Sequence, residues 1–310
     1  MDLKPPVTRL SLKKDKLHVR ARVLDAVRRF FVAQAYLEVE TPIRIPAPAP
    51  ETHIDAQPAG DWYLHTSPEL GMKRLLAAGY PQIFQICKCF RQGERGRRHL
   101  PELTMLEWYT AGVDYRHMMA QCESLVGFVA AELGMAPVIA YQQRTIDLTP
   151  PWTRLRVEDA FRRFGDCAMT EALDQDRFDD IMGLQIEPRL GWDQPVILYD
   201  YPAECGALAR LKPGQTDTAE RFELYIGGLE LCNAFSELTD PHEQRQRFAE
   251  ETRRRREAGK SSYPVPEPFL AALAHMPDAA GNALGIDRLV MLLTDSDSID
   301  QVVAFTPEAL

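Results

Sequence analysis

No run of about 18 apolar residues exists in this sequence, so no segment is long and apolar enough to span a bilayer as a helix. The opening stretch "MDLKPPVTRLSLKKDK" carries positive charge but lacks the apolar core of a secretory signal, so export is not expected. Cysteine is scattered: Cys87, Cys89, Cys122, Cys167, Cys205 and Cys232. Only Cys87 and Cys89 are close, and their spacing is neither that of a zinc motif nor that of thioredoxin, which points to reduced thiols in the cytoplasm rather than a disulfide framework. Positive charge is also in deficit. A formal net charge of −9 disfavours a broad nucleic-acid-binding surface. The densest basic run, residues 253–256, lies among Glu250, Glu251 and Glu257 and reads as the solvated face of a charged helix. Internal repeats are missing, and the only biased tract is "PIRIPAPAPE", whose prolines exclude helix.

What is present suffices for a large core, with 310 residues of which 45% are hydrophobic. Leu17, Val23, Leu24, Val27, Phe30 and Phe31 recur at helical spacing within residues 14–35. Ser67 as N-cap and Pro68 at the first helical position predict a short helix over "SPELGMKRLLAAGY". "PQIFQICKCF" and "LTMLEWY" predict two strands joined by the basic loop "RQGERGRR", and helical periodicity resumes over 115–133. Farther on, "RVEDAFRRF" and "DRFDDIMGLQIEPRL" read as helical, "QPVILYDYP" as a buried strand, "RFELYIGGLELCNAF" as a hairpin about Gly227 and Gly228, and "GIDRLVMLLT" as a helix. The expectation is an α+β fold, an antiparallel sheet flanked by helices, with residues 1–310 forming a single domain.

Strand periodicity groups the polar residues. Leu103, Met105, Glu107 and Tyr109 share one face of their strand, and Asn233, Phe235 and Glu237 share one face of theirs. A carboxylate, an amide, an aromatic ring and a phenol on neighbouring strands suit a ligand ammonium on an alkyl stem. A two-residue turn would pair Glu230 with Tyr225 and leave Glu223 and Glu230 on one face, where paired carboxylates suit Mg²⁺ beside phosphates. Glu230 and Glu237, however, are an odd number apart, so strict alternation sends them to opposite faces unless a bulge intervenes. The loop "RQGERGRR" has the charge to close on a polyphosphate, and "GIDRLV" offers Gly285 for close backbone approach and Arg288 at a helix start.

In order and spacing, "LEVETP", "TSPELGMKRL", "FRQGERGRRHLPELTMLEWY", "IGGLELCNAFSEL" and "GNALGIDRLVML" resemble the catalytic core of class II lysyl-tRNA synthetases over roughly residues 15–306. Aspartyl and asparaginyl enzymes share the arginine motifs, but "LTMLEWY" and "NAFSEL" are similar to the lysine branch. Since only a short tail precedes the first helix, where the synthetases carry an anticodon-binding domain, the sequence looks like their free-standing relatives, the elongation factor P lysine ligases. That resemblance implies activation of (R)-β-lysine, or lysine, with ATP and Mg²⁺ as an adenylate, then transfer to a lysine side chain of elongation factor P. It also implies a cytoplasmic homodimer paired through the "LEVETP" region, with tRNA replaced as acceptor.

By the same resemblance, Ser67, Pro68, Glu69, Glu107, Tyr109, Asn233, Phe235, Glu237 and Ala283 would line the amino-acid pocket. Arg91 and Arg288 would be the catalytic arginines, on the α-phosphate and the ATP tail. Gln92, Gly93, Glu94, Arg98, His99, Leu100, Leu103, Glu230, Leu231 and Gly285 would complete the nucleotide site. Glu223 and Glu230 would hold the metal, and no residue would act as a covalent nucleophile. The sequence departs from the family in places. Gly93 stands where an acid is usual, with Glu94 one position later; Leu100 replaces an asparagine, Leu103 a phenylalanine that stacks on adenine, and Ala234 a glycine, adding a methyl expected between pocket residues. Two other readings accompany the ligase: a lysine-tRNA ligase working on the acceptor stem alone, which the net charge disfavours, and an inert binding paralog, suggested by Gly93, Leu100 and Leu103.

Overall fold

A computed structural model describes residues 10–206 and 208–310. Most of the N-terminal stretch considered above as a signal, residues 1–9, lies outside the described residues. No helix among the described residues is long and apolar enough to cross a membrane.

The chain builds a nine-stranded sheet. Eight strands form its path: β1 (Leu37–Glu38), β2 (Gln82–Phe90), β3 (Glu102–Ala111), β4 (Thr153–Arg156), β5 (Val196–Pro202), β6 (Gln215–Ile226), β7 (Leu229–Ser236) and β8 (Ala279–Gly285), in the spatial order β1-β2-β3-β8-β7-β6-β5-β4. A ninth, short strand pairs with β6. The centre is antiparallel, as expected, but β1 runs parallel to β2 and β4 parallel to β5, so the sheet is mixed at both edges. Two-residue and four-residue strands gave too little periodicity to be read from the sequence.

Among the described residues, the longer helices around it are α1 (Lys14–Ala33), α2 (Glu69–Ala77), α3 (Tyr115–Glu132), α4 (Val157–Phe164), α5 (Pro241–Glu257), α6 (Glu267–Leu273) and α7 (Ile286–Leu293). The period-two alternation of the strands splits the sheet into two faces. Leu106, Trp108, Phe222, Leu224, Ala234 and Leu284 point to one, where they form the main core with α1, α3 and α7. Ala234 thus faces away from the strand's polar residues, and the extra methyl expected in the pocket is instead core packing, fully buried. Ile83 and Tyr109 point to the other face and pack with Met72 and Leu76 of α2 and Phe269 and Leu270 of α6.

Helix α2 begins one residue later than expected, at Glu69, yet Ser67 still caps it: its Oγ accepts the Glu69 N–H at 3.0 Å. In α5 the basic run divides. Arg253 and Arg254 are exposed and paired with Glu250, Glu251 and Glu257, as expected. Arg255 is not on a solvated face; it is 1% exposed and donates to the carbonyls of Glu51, Ile54 and Ser261, to Asp55 and to Tyr263. Two of these acceptors are the carbonyls of Glu51 and Ile54, at the end of and just beyond the proline-rich segment, which has no ladder there to satisfy them. Arg255 therefore pins that segment over the open face of the sheet.

Candidate active site

Register aligns the polar residues in rows across the strands. Gln85, Glu107, Ala283, Asn233 and Glu223 are successive partners from β2 through β3, β8 and β7 to β6. One row along come Ile83, Tyr109, Gly281, Phe235 and Arg221. Side chains directly opposite in a ladder share a face, so five strands contribute to one surface. The parity conflict between Glu230 and Glu237 resolves through the bulge: Tyr225 pairs with Glu230 but Leu224 with Cys232, leaving Leu231 as the extra residue. The insertion puts Glu230, Asn233 and Phe235 on one face.

The surface has a closed part and an open part. In the closed part, Ser67 Oγ and Tyr109 OH donate to the two oxygens of the Glu107 carboxylate at 2.6 and 2.8 Å. Burial, with Glu69 adding to it, pushes the Glu107 carboxyl well above its ordinary range. Beside them Lys73, 1% exposed, lies 2.5 Å from Glu69, in ion-pair contact with Glu237, and over the Phe235 ring. Glu237 is fully buried and its Oε1 has no hydrogen-bond donor. Burial raises its pKa to about 8; Lys73 opposes that rise and Glu69 assists it, because one ammonium is shared by two carboxylates. Gly281 is required here by proximity, since a Cβ would lie 2.4 Å from Glu237 Oε1 and 2.3 Å from the Tyr109 ring. The cluster holds a carboxylate oxygen in want of a donor.

The open part is a cavity of about 340 Å³ adjoining it. Arg91, Glu94, Arg98, His99, Leu100, Leu103, Glu223, Glu230, Leu231, Asn233, Ala283, Gly285 and Arg288 all line this one space, although they come from three separate stretches of the chain, 91–103, 223–233 and 283–288. Arg288 organises its rim, donating from Nη1 to the carbonyl and carboxylate of Glu230 at 2.8 and 3.0 Å and contacting His99 Nε2 through Nη2 at 2.7 Å. Partial burial and the Arg288 charge hold His99 below its usual range, so its neutral imidazole accepts that bond. For Glu230, burial acts upward, but the charge and hydrogen bond of Arg288, with the charges of Arg91 and Arg221, together outweigh it, and the carboxylate titrates below its ordinary value. Arg91 faces Glu94 at 3.8 Å, and its buried Nε has no acceptor. Gly93, the departure from the expected acid, has φ of +79°. The tight loop needs a left-handed residue there, which leaves the acid to the next position.

The oxygens of Glu223 are already shared: Arg221 and the hydroxyls of Tyr201 and Tyr225 donate to them at 2.6, 2.6 and 2.5 Å. Glu230 keeps one oxygen outside any hydrogen bond to Arg288. Two carboxylates bordering one cavity are the hard oxygen donors that Mg²⁺ takes, so the donor set fits that ion.

Of the residues expected at the nucleotide, Gln92 and Gly93 do not line the cavity; the backbone N–H of Gln92 instead ties the loop to the Asp55 carbonyl. Pro68 is buried at the start of α2. Sequence reasoning missed Lys73 and Arg221. Lys73 carried a signal, its i,i+4 placement after Glu69. Arg221 shares a strand face with Glu223 two residues on, donates from Nε to Asn233 Oδ1 at 2.9 Å, and stacks on Tyr201. Glu51, from the proline-rich segment, also lines the cavity, and burial raises its carboxyl to about 7.

Comparison with known proteins places these residues in a family context. Residues 7–309 match the model of the class II tRNA synthetases (D, K and N). The chain is 40% identical over 304 residues, covering 93% of both sequences, to a protein of Edwardsiella ictaluri (strain 93-146) named elongation factor P–(R)-β-lysine ligase. A protein of the same name from Klebsiella pneumoniae (strain 342) is equally similar. One from Vibrio atlanticus (strain LGP32), also so named, is 39% identical over 307 residues, 94% of this chain and 95% of that one.

Proposed function

Because the chain belongs to the class II tRNA synthetases of the D, K and N group, we propose that it is an ATP-dependent ligase that activates (R)-β-lysine, or lysine, and transfers it to a lysine side chain of elongation factor P. The observation that carries this reading is the junction of the two parts of the site: a buried carboxylate oxygen without a donor, beside a cavity edged by Arg91 and Arg288. A lysine-like substrate has an ammonium for the first and a carboxylate for the second.

In this reading Glu237, Tyr109 and Phe235 receive the side-chain ammonium, and Ser67, Glu69, Glu107 and Asn233 position the other amine. The substrate carboxylate attacks the α-phosphorus of ATP and pyrophosphate leaves; the acceptor amine then attacks the adenylate's carbonyl carbon, loses a proton and expels AMP. Arg91 steadies the α-phosphate; Arg288, Arg98 and His99 hold the phosphate tail, and Leu100, Leu103, Leu231 and Gly285 border the nucleotide. Magnesium held by Glu223 and Glu230 would neutralise phosphate charge. Fixed charge and orientation supply the rate, with no covalent enzyme intermediate. We place the reaction in the cytoplasm, in a homodimer joined through the "LEVETP" region, where Val32, Leu37 and Ile43 are exposed apolar residues. The curated relatives favour elongation factor P over tRNA as acceptor by their names. Mass spectrometry of elongation factor P after incubation with the protein, ATP and each lysine isomer tests the proposal. A mass increase of one lysyl residue is expected; an unmodified acceptor together with lysylated tRNA would overturn it.

Two smaller effects follow from the cavity. Glu94→Ala should raise KM for ATP roughly three- to tenfold, about 1 kcal/mol, the scale of a partly exposed ion pair, because Glu94 orients Arg91 in place of the acid missing at Gly93. Equal KM in steady-state assays would make Glu94 a bystander. Ala283→Gly should shift preference from β-lysine towards α-lysine by about 1–3 kcal/mol, the worth of one methyl group in a pocket. Ala283 lies between Glu107 and Asn233 in the ladder, with its methyl on the site face, where it crowds an α-amine but not an amine one carbon farther away. The ratio of kcat/KM for the two isomers is the measurement, and an unchanged ratio removes the steric account.

A further inference from the structure

Outside the ligase residues, three soft or borderline donors meet at one face of β2. His65 follows the short strand Trp62–Leu64, and Cys87 and Cys89 project from one face of β2. The Sγ atoms lie 3.9 Å apart, Cys89 Sγ is 4.0 Å from His65 Nε2, and all three ligand atoms fall within 4.8 Å of one another. His65 and Cys89 are 1% and 0% exposed, whereas Cys87 is half-buried and gives access. Among the described residues no other such group of three was found. The sequence spacing Cys-x-Cys hides it, because the third donor comes from a different strand.

A disulfide does not suit these positions. Residues i and i+2 of a strand are roughly 6.6 Å apart along the chain, at the long end of what a disulfide spans, and closing the sulfurs to bonding distance would bend β2 out of its ladder. A metal ion needs no such movement. With zinc–sulfur bonds of about 2.3 Å, the edge of a tetrahedron is about 3.8 Å, close to the separation of the two sulfurs. The frame is also fixed independently of any ion: the His65 N–H bonds to the Ile43 carbonyl at 2.8 Å, and its own carbonyl accepts the Phe90 N–H at 3.0 Å.

We propose that His65, Cys87 and Cys89 form a binding site for one thiophilic cation of the zinc class, with the fourth position left to solvent or a small donor. His65 Nε2 lies 2.7 Å from the Lys88 carbonyl, and coordination replaces that contact, with the ring proton residing on Nδ1. The Cys89 thiol proton leaves to solvent. Zinc binding takes Cys87 as its thiolate too, and that proton is released likewise. The site lies on the catalytic face of β2, since Cys87 follows Gln85, the ladder partner of Glu107.

Metal-stripped protein is treated with iodoacetamide with and without Zn²⁺, and alkylation is measured on the peptides carrying each cysteine. Zinc is expected to slow modification of Cys87 at least tenfold while leaving Cys167 and Cys205, half-buried elsewhere, unchanged. Equal rates at Cys87 would overturn the proposal. Co²⁺ gives a second measurement: one equivalent should produce a thiolate-to-cobalt charge-transfer band that Cys87→Ser abolishes. A band that survives in the folded variant, or is missing from the wild type, would also overturn it. If Cys87→Ser fails to fold, the alkylation of the wild type decides.

Discussion

Glu237→Gln is expected to lower amino-acid-dependent pyrophosphate exchange by about 10²–10³-fold, about 3–4 kcal/mol and within the loss expected when one partner of a buried charge pair is truncated, while the protein stays folded. Glutamine keeps the shape of the side chain but cannot offer a carboxylate to an incoming ammonium. Stability should change little because glutamine fills the same space and Glu69 remains to pair with Lys73. The pH dependence carries a sign. A carboxyl whose folded pKa lies above the ordinary 4.5 contributes its stability fully below that value and loses it as pH rises towards about 8. Wild-type kcat/KM for the amino acid should therefore rise up to about pH 8 as the carboxylate forms. The variant should be flat across that window and lose less thermal stability over it. Normal exchange in a folded variant would remove this face of β7 from the pocket.

The division between what the sequence made legible and what it did not follows the range of each interaction. The Glu107–Tyr109 and Asn233–Phe235 faces were readable because period two is local, and the structure joins Tyr109 to Glu107 at 2.8 Å. The hairpin was readable from its two glycines, both of which adopt positive φ. The bulge at Leu231 was not, because it depends on how β7 pairs with β6, and no residue type at that position demands it. Lys73 offered only its place four residues after Glu69; the packing of α2 on the sheet is what buries its ammonium between Glu69 and Glu237. Arg255 was misread for the same reason: its neighbours in sequence are solvated, while three of its acceptors, on Glu51, Ile54 and Asp55, lie some two hundred residues upstream. The three-donor group at His65 likewise spans strands whose adjacency no spacing rule encodes.

Arg288→Ala should reduce kcat/KM for ATP by about 10²–10³-fold, the cost of removing one preorganised donor from a developing anionic charge. Three contacts make this residue hard to replace. One nitrogen of its fork holds the carbonyl and carboxylate of Glu230, the other meets His99, and the guanidinium borders the cavity. Arg288→Lys restores a charge without the planar fork, so it should recover only a small part of the activity. Removing the arginine also changes Glu230. Burial alone pushes that carboxyl up, and Arg288 is the main influence that brings it below its ordinary value. In the wild type, a depressed carboxyl gives stability present above 4.5 and lost as pH falls through the lower folded pKa. In Arg288→Ala the Glu230 carboxyl should take up its proton at higher pH, so the acid side of the ATP-dependence profile should move upward, which loss of a phosphate contact alone would not cause. A lower kcat/KM with an unmoved acid limb would separate the two roles and leave Arg288 as a phosphate ligand only. Values within twofold of wild type would place the phosphate tail elsewhere in the cavity.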